Sequence, residues 1–156
     1  MTLDLADLEG FGTVVVTSAD VTGRPVGKRL SVDVFRRIVH EGIPLSSCVL
    51  GWDVDQWPGP VQEYTGHHTG WHDVRLVPDL GTLRPAAWLE RTAICLADFA
   101  EMGSDELAPV APRTILRRQV ERLTDAGLTP QVASELEFSL YRGSYDDGRT
   151  NGYETL

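Results

Sequence analysis

Basic residues are scarce in this chain. Its 156 residues include 14 lysines and arginines against 23 aspartates and glutamates, which gives a net charge of −9 at pH 7, and Lys28 is its one lysine. Both halves of the sequence are acidic, and no basic stripe is present. Proteins that bind nucleic acid or anionic membranes rely on clustered lysine and arginine, so the composition argues against both classes of partner.

Long apolar runs and cysteine clusters are also missing. No segment approaches the ~18 consecutive apolar residues of a transmembrane helix. The N-terminal sequence MTLDLADLEG is acidic and lacks the apolar centre of a signal peptide, so we expect a cytoplasmic protein. The two cysteines, Cys48 and Cys95, lie in separate apolar stretches, which is typical of buried thiols and not of a disulfide framework or a metal knuckle.

The first two-thirds of the chain have the pattern of an α+β domain. Strands are predicted at residues 12–19, 24–31, 46–52, 73–77 and 92–99, with a helix that Ser31 caps and Gly42 ends. The first two strands flank the turn residues 20–23 and form a hairpin. Residues 53–70 contain closely spaced glycine and proline without periodicity, which predicts a long loop of the kind that is usually functional or disordered.

A smaller block follows a predicted hinge at residues 101–112. Pro112 suits the first turn of a helix, and Gly127 suits the position just after its end. Residues 134–141 alternate between apolar and polar side chains, which predicts a strand. One helix and one strand cannot bury both faces of that strand, so we expect this block to be the beginning of a larger domain.

Two acidic residues on the predicted last strand are candidate metal ligands. Glu135 and Glu137 are two residues apart, so on a strand they share one face about 6–7 Å apart. Paired carboxylates on a rigid element suit Mg²⁺ or Mn²⁺. The alternative is an ordinary solvated strand face, and the spacing alone favours that alternative.

Three further segments have both a functional and an ordinary interpretation. His67, His68 and His72, followed by Asp73, either bind zinc or belong to a polar surface loop. Asp53 and Asp55 either hold a cationic substrate group or cap a turn. Residues 23–29, GRPVGKR, lack the spacing of a phosphate-binding loop, so we predict a hairpin strand there.

The order of these features resembles the glutamine synthetase family. Residues 15–29 are similar to the family's opening strand pair, D-x-x-G followed by GK. Residues 73–88 are similar to its D-x-x-L-x-P-D, T-L-R and P-W elements. Residues 112–138 are similar to its P-R-x-x-L helix and E-x-E-F strand. Each stretch is a weak signal alone, but the three occur in order with their spacing preserved.

The resemblance implies a fold, a reaction and specific residues. It implies a β-grasp N-terminal domain at residues 1–104 and the start of a catalytic domain, truncated, at residues 105–156. Family enzymes join glutamate to ammonia or an amine with ATP, through γ-glutamyl phosphate, as subunit rings that share active sites. Glu135 and Glu137 match the Mg²⁺ or Mn²⁺ ligands, Asp53 matches the ammonium-binding aspartate, and Asp73 falls at the family's acidic position before a P-D turn.

Two departures from the family pattern narrow these expectations. Residues 53–56 read D-V-D-Q where ammonia-using members have D-G-S-S, and Gly51-Trp52-Asp53 resembles the branch that acts on amines or polyamines. The ATP site would lie beyond residue 156. The sequence therefore predicts an N-terminal portion of a ligase that is inactive alone, as a homo-oligomer or a partner of a full-length homologue. The alternative is a non-catalytic β-grasp module that binds a ligase subunit or regulator.

Overall fold

The computed structural model describes residues 2–59, 63–140 and 143–152. Its strands are β1 (Thr13–Ala19), β2 (Pro25–Ser31), β3 (Ile43–Ser46), β4 (Asp73–Pro78), β5 (Arg84–Pro85) and β6 (Thr92–Glu101). Its helices are α1 (Val32–Ile38), α2 (Pro112–Asp125) and α3 (Tyr145–Thr150), with short 3-10 helices at Ala6–Leu8, Ser47–Leu50, His67–Thr69 and Leu80–Thr82. Among the residues described, none of the helices has the length and apolarity that a bilayer crossing requires.

The strands form one mixed sheet with few helices, which confirms the predicted α+β class. The strand order is β2-β1-β6-β4-β3, and β5 adds a short pairing to β6. β1 and β6 are parallel, and the other pairs are antiparallel. β6 lies in the middle of the sheet, and most of its residues are buried. A strand covered on both faces is expected to be apolar nearly throughout, as the sequence TAICLADFAE is.

The β1–β2 hairpin is confirmed. Its strand pairing explains why a glycine occurs at position 27, within the segment that superficially resembles a phosphate-binding loop. Gly27 pairs with Thr17, and Lys28 pairs with Val16. A Cβ atom on Gly27 would lie 1.9 Å from the carbonyl oxygen of Val16, so no larger residue fits without moving the backbone. Residues 25–31 are therefore strand, and their glycine serves close packing.

The core lies between the sheet and α1. Ser31 caps α1, because its hydroxyl accepts a hydrogen bond from the Val34 N–H at 3.4 Å. Phe35 of this helix and Phe99 of β6 are fully buried together with apolar residues of β1 and β4. The core cluster reaches Ala111, beyond the predicted domain boundary at 104/105. Cys48 and Cys95 are free thiols; Cys95 is buried, as predicted, whereas Cys48 is half-buried.

α2 begins and ends where the sequence predicts. Pro112 occupies the first turn, where a backbone N–H would have no helical partner. Gly127 follows the helix with a φ of +75°. The N–H groups of Gly127 and Leu128 donate to the carbonyls of Thr124 and Leu123, which is the Schellman arrangement of a helix end.

Two predicted strands are corrected by the structure. The strand predicted at 46–52 was wrong: the observed strand β3 ends at Ser46, where the prediction begins. The Ser46 hydroxyl accepts a hydrogen bond from the Cys48 N–H, and a 3-10 turn follows. The strand predicted at 134–141 is absent: residues 134–140 have no regular structure, and Tyr141 lies outside the described residues. Its apolar residues are exposed, 86% for Leu136 and 79% for Phe138. None of the strands in the described part of the chain pairs with this segment, so they offer its backbone N–H and C=O groups no ladder to join.

Candidate functional site

A tight loop at residues 53–57 carries Asp53, the residue predicted to bind a cationic group. The flanking residues Trp52 and Pro58 form an isolated antiparallel bridge that closes the loop. Asp53 Oδ1 accepts hydrogen bonds from the N–H groups of Asp55 (2.9 Å) and Trp57 (3.0 Å), and the Asp53 N–H donates to the Trp57 carbonyl. Asp53 therefore has the turn-capping role that the sequence offers as its alternative.

The turn-capping role uses one carboxylate oxygen and leaves the other available. Asp53 is exposed, and its Oδ2 accepts no hydrogen bond from the described residues. An exposed carboxylate oxygen attracts a cation, and the two backbone N–H groups on Oδ1 hold the carboxylate in one orientation. The same aspartate can therefore shape the loop and bind a cationic ligand.

Arg24, on the turn between β1 and β2, holds this loop from outside. Its Nη1 donates to the Val54 carbonyl at 2.7 Å, and its Nη2 donates to the Asp53 carbonyl at 2.8 Å. Its Nε donates to Asp20 Oδ2 at 3.2 Å and to the Thr22 hydroxyl at 3.1 Å. One guanidinium thus joins the hairpin turn to two successive backbone carbonyls of the loop, those of Asp53 and Val54.

Asp20 is the buried centre of the same network. Its side chain is fully buried and accepts from the Thr22 and Arg24 N–H groups, the Thr22 hydroxyl, Arg24 Nε and Trp52 Nε1. Burial by itself would raise the pKa of Asp20, but the hydrogen bonds, those from Trp52 and Thr22 first, lower the pKa of the carboxyl to about 2. We call Asp20, Arg24 and Trp52 the clasp.

The clasp is the part of the site that sequence reasoning missed. Residues 20–23 were recognisable as a turn, and the Asp-x-Thr pattern explains only the local hydrogen bonds from Thr22. The partners Trp52 and Asp53 lie about thirty residues further along the chain. A fully buried aspartate beside an arginine is a signal of such a network, but burial is visible only in the structure.

The other predicted site residues do not join Asp53. Asp73 is exposed at the start of β4, where it pairs with Ser46 of β3. Glu135 and Glu137 are exposed in the segment between α2 and α3 and have no hydrogen bond or ion pair with the described residues. The structure therefore does not assemble the four residues into one centre.

No metal centre forms within the described residues. Carboxylates such as Glu135 and Glu137 suit Mg²⁺ or Mn²⁺, but no group of three or more His, Cys, Asp or Glu side chains comes together in residues 2–59, 63–140 and 143–152. Metal binding by Glu135 and Glu137 would therefore need further ligands from outside the described residues. The zinc hypothesis also finds no support, since His67 Nδ1 accepts from Trp71 Nε1 and His72 packs edge-on against Tyr64.

A second polar cluster, also missed by the sequence analysis, fastens α2 to the sheet. Arg113 donates to Asp98 of β6 at 2.8 Å and to Asp79 at 2.9 Å, and Arg117 donates to Asp98 at 2.6 Å. Burial alone would lower the pKa of Arg113, but its hydrogen bonds and charge attraction to Asp98 and Asp79 raise it above its ordinary value. The helix is thus attached by charge on one side.

The side of α2 next to these arginines is apolar and exposed. Its exposed apolar residues are Ile115, Leu116, Val120 and Leu123, with exposures from 37% to 63%. These residues are spaced three, four and one apart, so they form the stripe of an amphipathic helix. Together with the exposed residues of segment 134–140, they leave the C-terminal third of the chain with unpartnered apolar surface.

Several curated proteins that the chain resembles have names that refer to an amine or a γ-glutamyl amide. The chain is 38% identical over 92% of its length to γ-glutamylethanolamide synthetase GlnA4 of Streptomyces coelicolor, and it covers 31% of that protein. It is 30% identical over 90% of its length to a glutamate–isopropylamine ligase of a Pseudomonas species, again covering 31%. It is 32% identical over 81% to γ-glutamylputrescine synthetase PuuA of Escherichia coli, covering 26%.

The fold of the chain is similar to that of part of several solved structures. The chain superposes on a GmaS–ADP complex with a TM-score of 0.61 and 18% identity, covering 81% of this chain and 26% of that one. It superposes on a glutamine synthase homologue with a TM-score of 0.59 and 21% identity, covering 74% and 27%. No protein-family model matches the sequence. The chain thus spans about a third or less of the proteins it resembles.

Proposed function

Because the chain belongs to the glutamine synthetase family, we propose that it forms the amine-binding part of an ATP-dependent ligase that joins an amine to glutamate through γ-glutamyl phosphate. The observation that carries the proposal is the 38% identity, over 92% of the chain, to a γ-glutamylethanolamide synthetase. The D-V-D-Q sequence at residues 53–56 supports an amine over ammonia.

Asp53 is the proposed amine-binding residue. A primary amine carries a positive charge near neutral pH, and a carboxylate a few ångströms away favours that charged form. The backbone N–H groups of Asp55 and Trp57 fix Asp53 Oδ1, which leaves Oδ2 to face the ligand. A carboxylate that is already oriented loses less conformational entropy when it binds a cation.

Other residues are proposed to act only in a larger assembly. Glu135 and Glu137 are our proposed ligands for Mg²⁺ or Mn²⁺, and when bound such an ion would neutralise phosphate charge during phosphoryl transfer. Asp73 is proposed as a further acidic group of the site. The ATP site is proposed to lie in parts of a longer protein, since the chain spans only 26–31% of its amine-ligase relatives.

A non-catalytic role is the second candidate. The sheet and α1 close a core between Leu3 and Ala111, whereas α2 presents an exposed apolar stripe. A β-grasp module that binds a ligase subunit through this stripe would have the same two features. The subunit could be a second copy of the chain or a full-length homologue.

A γ-glutamyl transfer assay separates the two candidates. We expect no turnover by the purified chain, and turnover after addition of a separately produced C-terminal half from an amine-ligase relative. In that mixture Asp53→Asn should raise the KM for the amine at least tenfold, while Asp33→Asn, at an exposed aspartate of α1, serves as the matched control and leaves it unchanged.

Each failure has its own meaning. Turnover by the chain alone would contradict the expected dependence on a larger assembly. An unchanged amine KM in Asp53→Asn would remove Asp53 from the amine site. Mixed oligomers with a full-length homologue in size-exclusion chromatography, without any turnover, would favour the non-catalytic module.

A further inference from the structure

We propose that Asp20 and Arg24 are positioning residues that hold the Asp53 loop, residues 53–57, in the conformation that presents the Asp53 carboxylate. The role given to Asp53 rests on the proposed function, but the mechanical role of the clasp stands on the contacts alone.

The hairpin turn does not need these long-range contacts to close. The Asp20 N–H donates to the Arg24 carbonyl at 2.9 Å, and the Gly23 N–H donates to the Asp20 carbonyl at 3.0 Å. Gly23 has a φ of +84°, which glycine adopts without strain. The turn is thus formed by its own backbone, and the bonds from Arg24 and Trp52 across the molecule serve something else.

Two separate connections run from Asp20 to the loop. The first is direct, since Trp52 Nε1 donates to Asp20 Oδ2 at 2.8 Å and Trp52 immediately precedes Asp53. The second passes through Arg24, which binds Asp20 with Nε and the carbonyls of Asp53 and Val54 with its two terminal nitrogens. The peptide that follows Asp53 and the residue that precedes it are therefore both tied to one buried carboxylate.

The chemistry of the clasp requires arginine and a charged aspartate. A guanidinium is planar and presents three nitrogens in a fixed fork, whereas a lysine ammonium is a single point and cannot span the same three acceptors. Asp20 is fully buried, and a buried charge strongly destabilises the fold when it loses its hydrogen-bonding partners. The carboxylate therefore holds both donors in place.

The result is a series of hydrogen-bonded groups, each held by the one before it, that ends at the ligand-binding carboxylate of Asp53. Asp20 fixes Trp52 and Arg24, these fix the backbone of Asp53, and the N–H groups of Asp55 and Trp57 fix its Oδ1. Only Oδ2 is left facing outward. Functional groups work best when neighbouring residues hold them in this way before the ligand arrives.

Amide exchange measured by NMR on the full 156-residue chain tests the proposal. Arg24→Lys should accelerate solvent exchange of the Asp55 and Trp57 amides about tenfold, and Trp52→Phe should accelerate it by several-fold. The matched control is Arg36→Lys, because Arg36 also donates to a distant carbonyl, that of Leu5 at 3.0 Å, but lies away from the loop. It should leave the loop amides unchanged.

A spectroscopic signature accompanies the exchange measurement. The indole N–H of Trp52 donates to a charged oxygen, so its proton resonance should move upfield in Asp20→Asn, in which one oxygen and the charge are lost. Two results would overturn the proposal. One is loop exchange unchanged in both Arg24→Lys and Trp52→Phe, and the other is acceleration that extends equally to the Val14 and Val16 amides, which would mean general destabilisation.

The failure of this proposal differs from the failure of the proposed function. Suppose Arg24→Lys accelerates exchange of the loop amides but Asp53→Asn leaves the amine KM of the reconstituted ligase unchanged. The positioning role of Asp20 and Arg24 is then supported, and the amine-binding role of Asp53 is contradicted. Suppose instead that Asp53→Asn raises that KM but Arg24→Lys leaves exchange of the loop amides unchanged. The amine-binding role of Asp53 is then supported, and the positioning role of the clasp is contradicted.

Discussion

β6 and residues 134–140 are both predicted to be strands, but only β6 is one. TAICLADF and SELEFSLY both predict strands, yet β6 lies in the middle of the sheet and residues 134–140 form no strand. Phe99 of β6 is fully buried, while Phe138 is 79% exposed. The difference is the presence of neighbours: β6 pairs with β1, β4 and β5, whereas no strand among the described residues pairs with the later segment. A strand pattern becomes a strand only where an edge is available to pair with it.

The largest expected contrast is in hydrogen exchange. Amides of Val14 and Val16, which lie in β1 between β2 and β6, should open only with global unfolding and exchange at least 10³-fold more slowly than unprotected amides. Amides of residues 134–140 should exchange at nearly the unprotected rate. Protection of that segment equal to β1 would contradict the contrast and would indicate that copies of the chain associate through it.

Matched core substitutions test the same comparison energetically. Phe99→Ala should lower the free energy of unfolding by about 3–5 kcal/mol, because it removes a fully buried ring and leaves a cavity. Phe138→Ala should change it by less than about 0.5 kcal/mol, because the ring is already in water. Urea denaturation measures both, and equal effects of the two substitutions would show that residues 134–140 pack in solution.

The attachment of α2 is tested by removing its central arginine. Arg113→Ala should cost about 2 kcal/mol, since it leaves the nearly buried Asp98 with Arg117 alone and removes charged hydrogen bonds to two aspartates. It should also accelerate exchange of the α2 amides. The control is Arg118→Ala on the same helix, whose side chain makes no ion pair with the described residues. A cost equal to that of the control would mean that the ion pairs do not hold the helix.

The clasp predicts an acid-dependent loss of stability within the sheet domain. The pKa of Asp20 is about 2 in the folded protein, whereas its ordinary value is 3.8. The charged carboxylate therefore stabilises the fold at every pH above about 3.8. That stabilisation, on the order of 2 kcal/mol, disappears as the pH falls from about 4 through about 2. The difference in urea stability between the wild type and Asp20→Asn should therefore shrink over this range.

Asp55→Asn, an exposed aspartate in the neighbouring loop, is the control for the acid experiment. Its stability should follow the wild type within about 0.5 kcal/mol at every pH. A wild-type advantage over Asp20→Asn that persists unchanged at pH 2 would show that the charge of Asp20 does not stabilise the fold.

The fold was predictable where local chemistry decides it. The hairpin around residues 20–23, the Ser31 cap, and the start and end of α2 all depend on turn and capping residues a few positions apart, and all are confirmed. The strand predicted at 46–52 was wrong because a serine hydroxyl, at Ser46, redirected the backbone into a 3-10 turn. Apolar residues alone do not distinguish a short buried strand from such a turn.

The candidate site was predictable only in part. Asp53 was identified from its place after a buried segment and from the family resemblance, and both of its suggested roles are compatible with the geometry. Asp20 and Arg24 were not identified, because their partners are distant in the sequence. Asp73, Glu135 and Glu137 stay predictions, since the described residues do not bring them to Asp53.

The sequence by itself determined the acidic character, the hairpin, the Ser31 cap, both ends of α2 and the family, because these depend on composition and on residues close together in the chain, whereas α1 ends at Ile38 and not at the predicted Gly42. Tertiary structure alone decided that Asp20 is buried under Arg24 and Trp52, that Arg113 joins α2 to Asp98, and that residues 134–140 stay exposed. The physical reason is that burial and strand pairing depend on what surrounds a segment in space, and two segments that both predict a strand meet different surroundings.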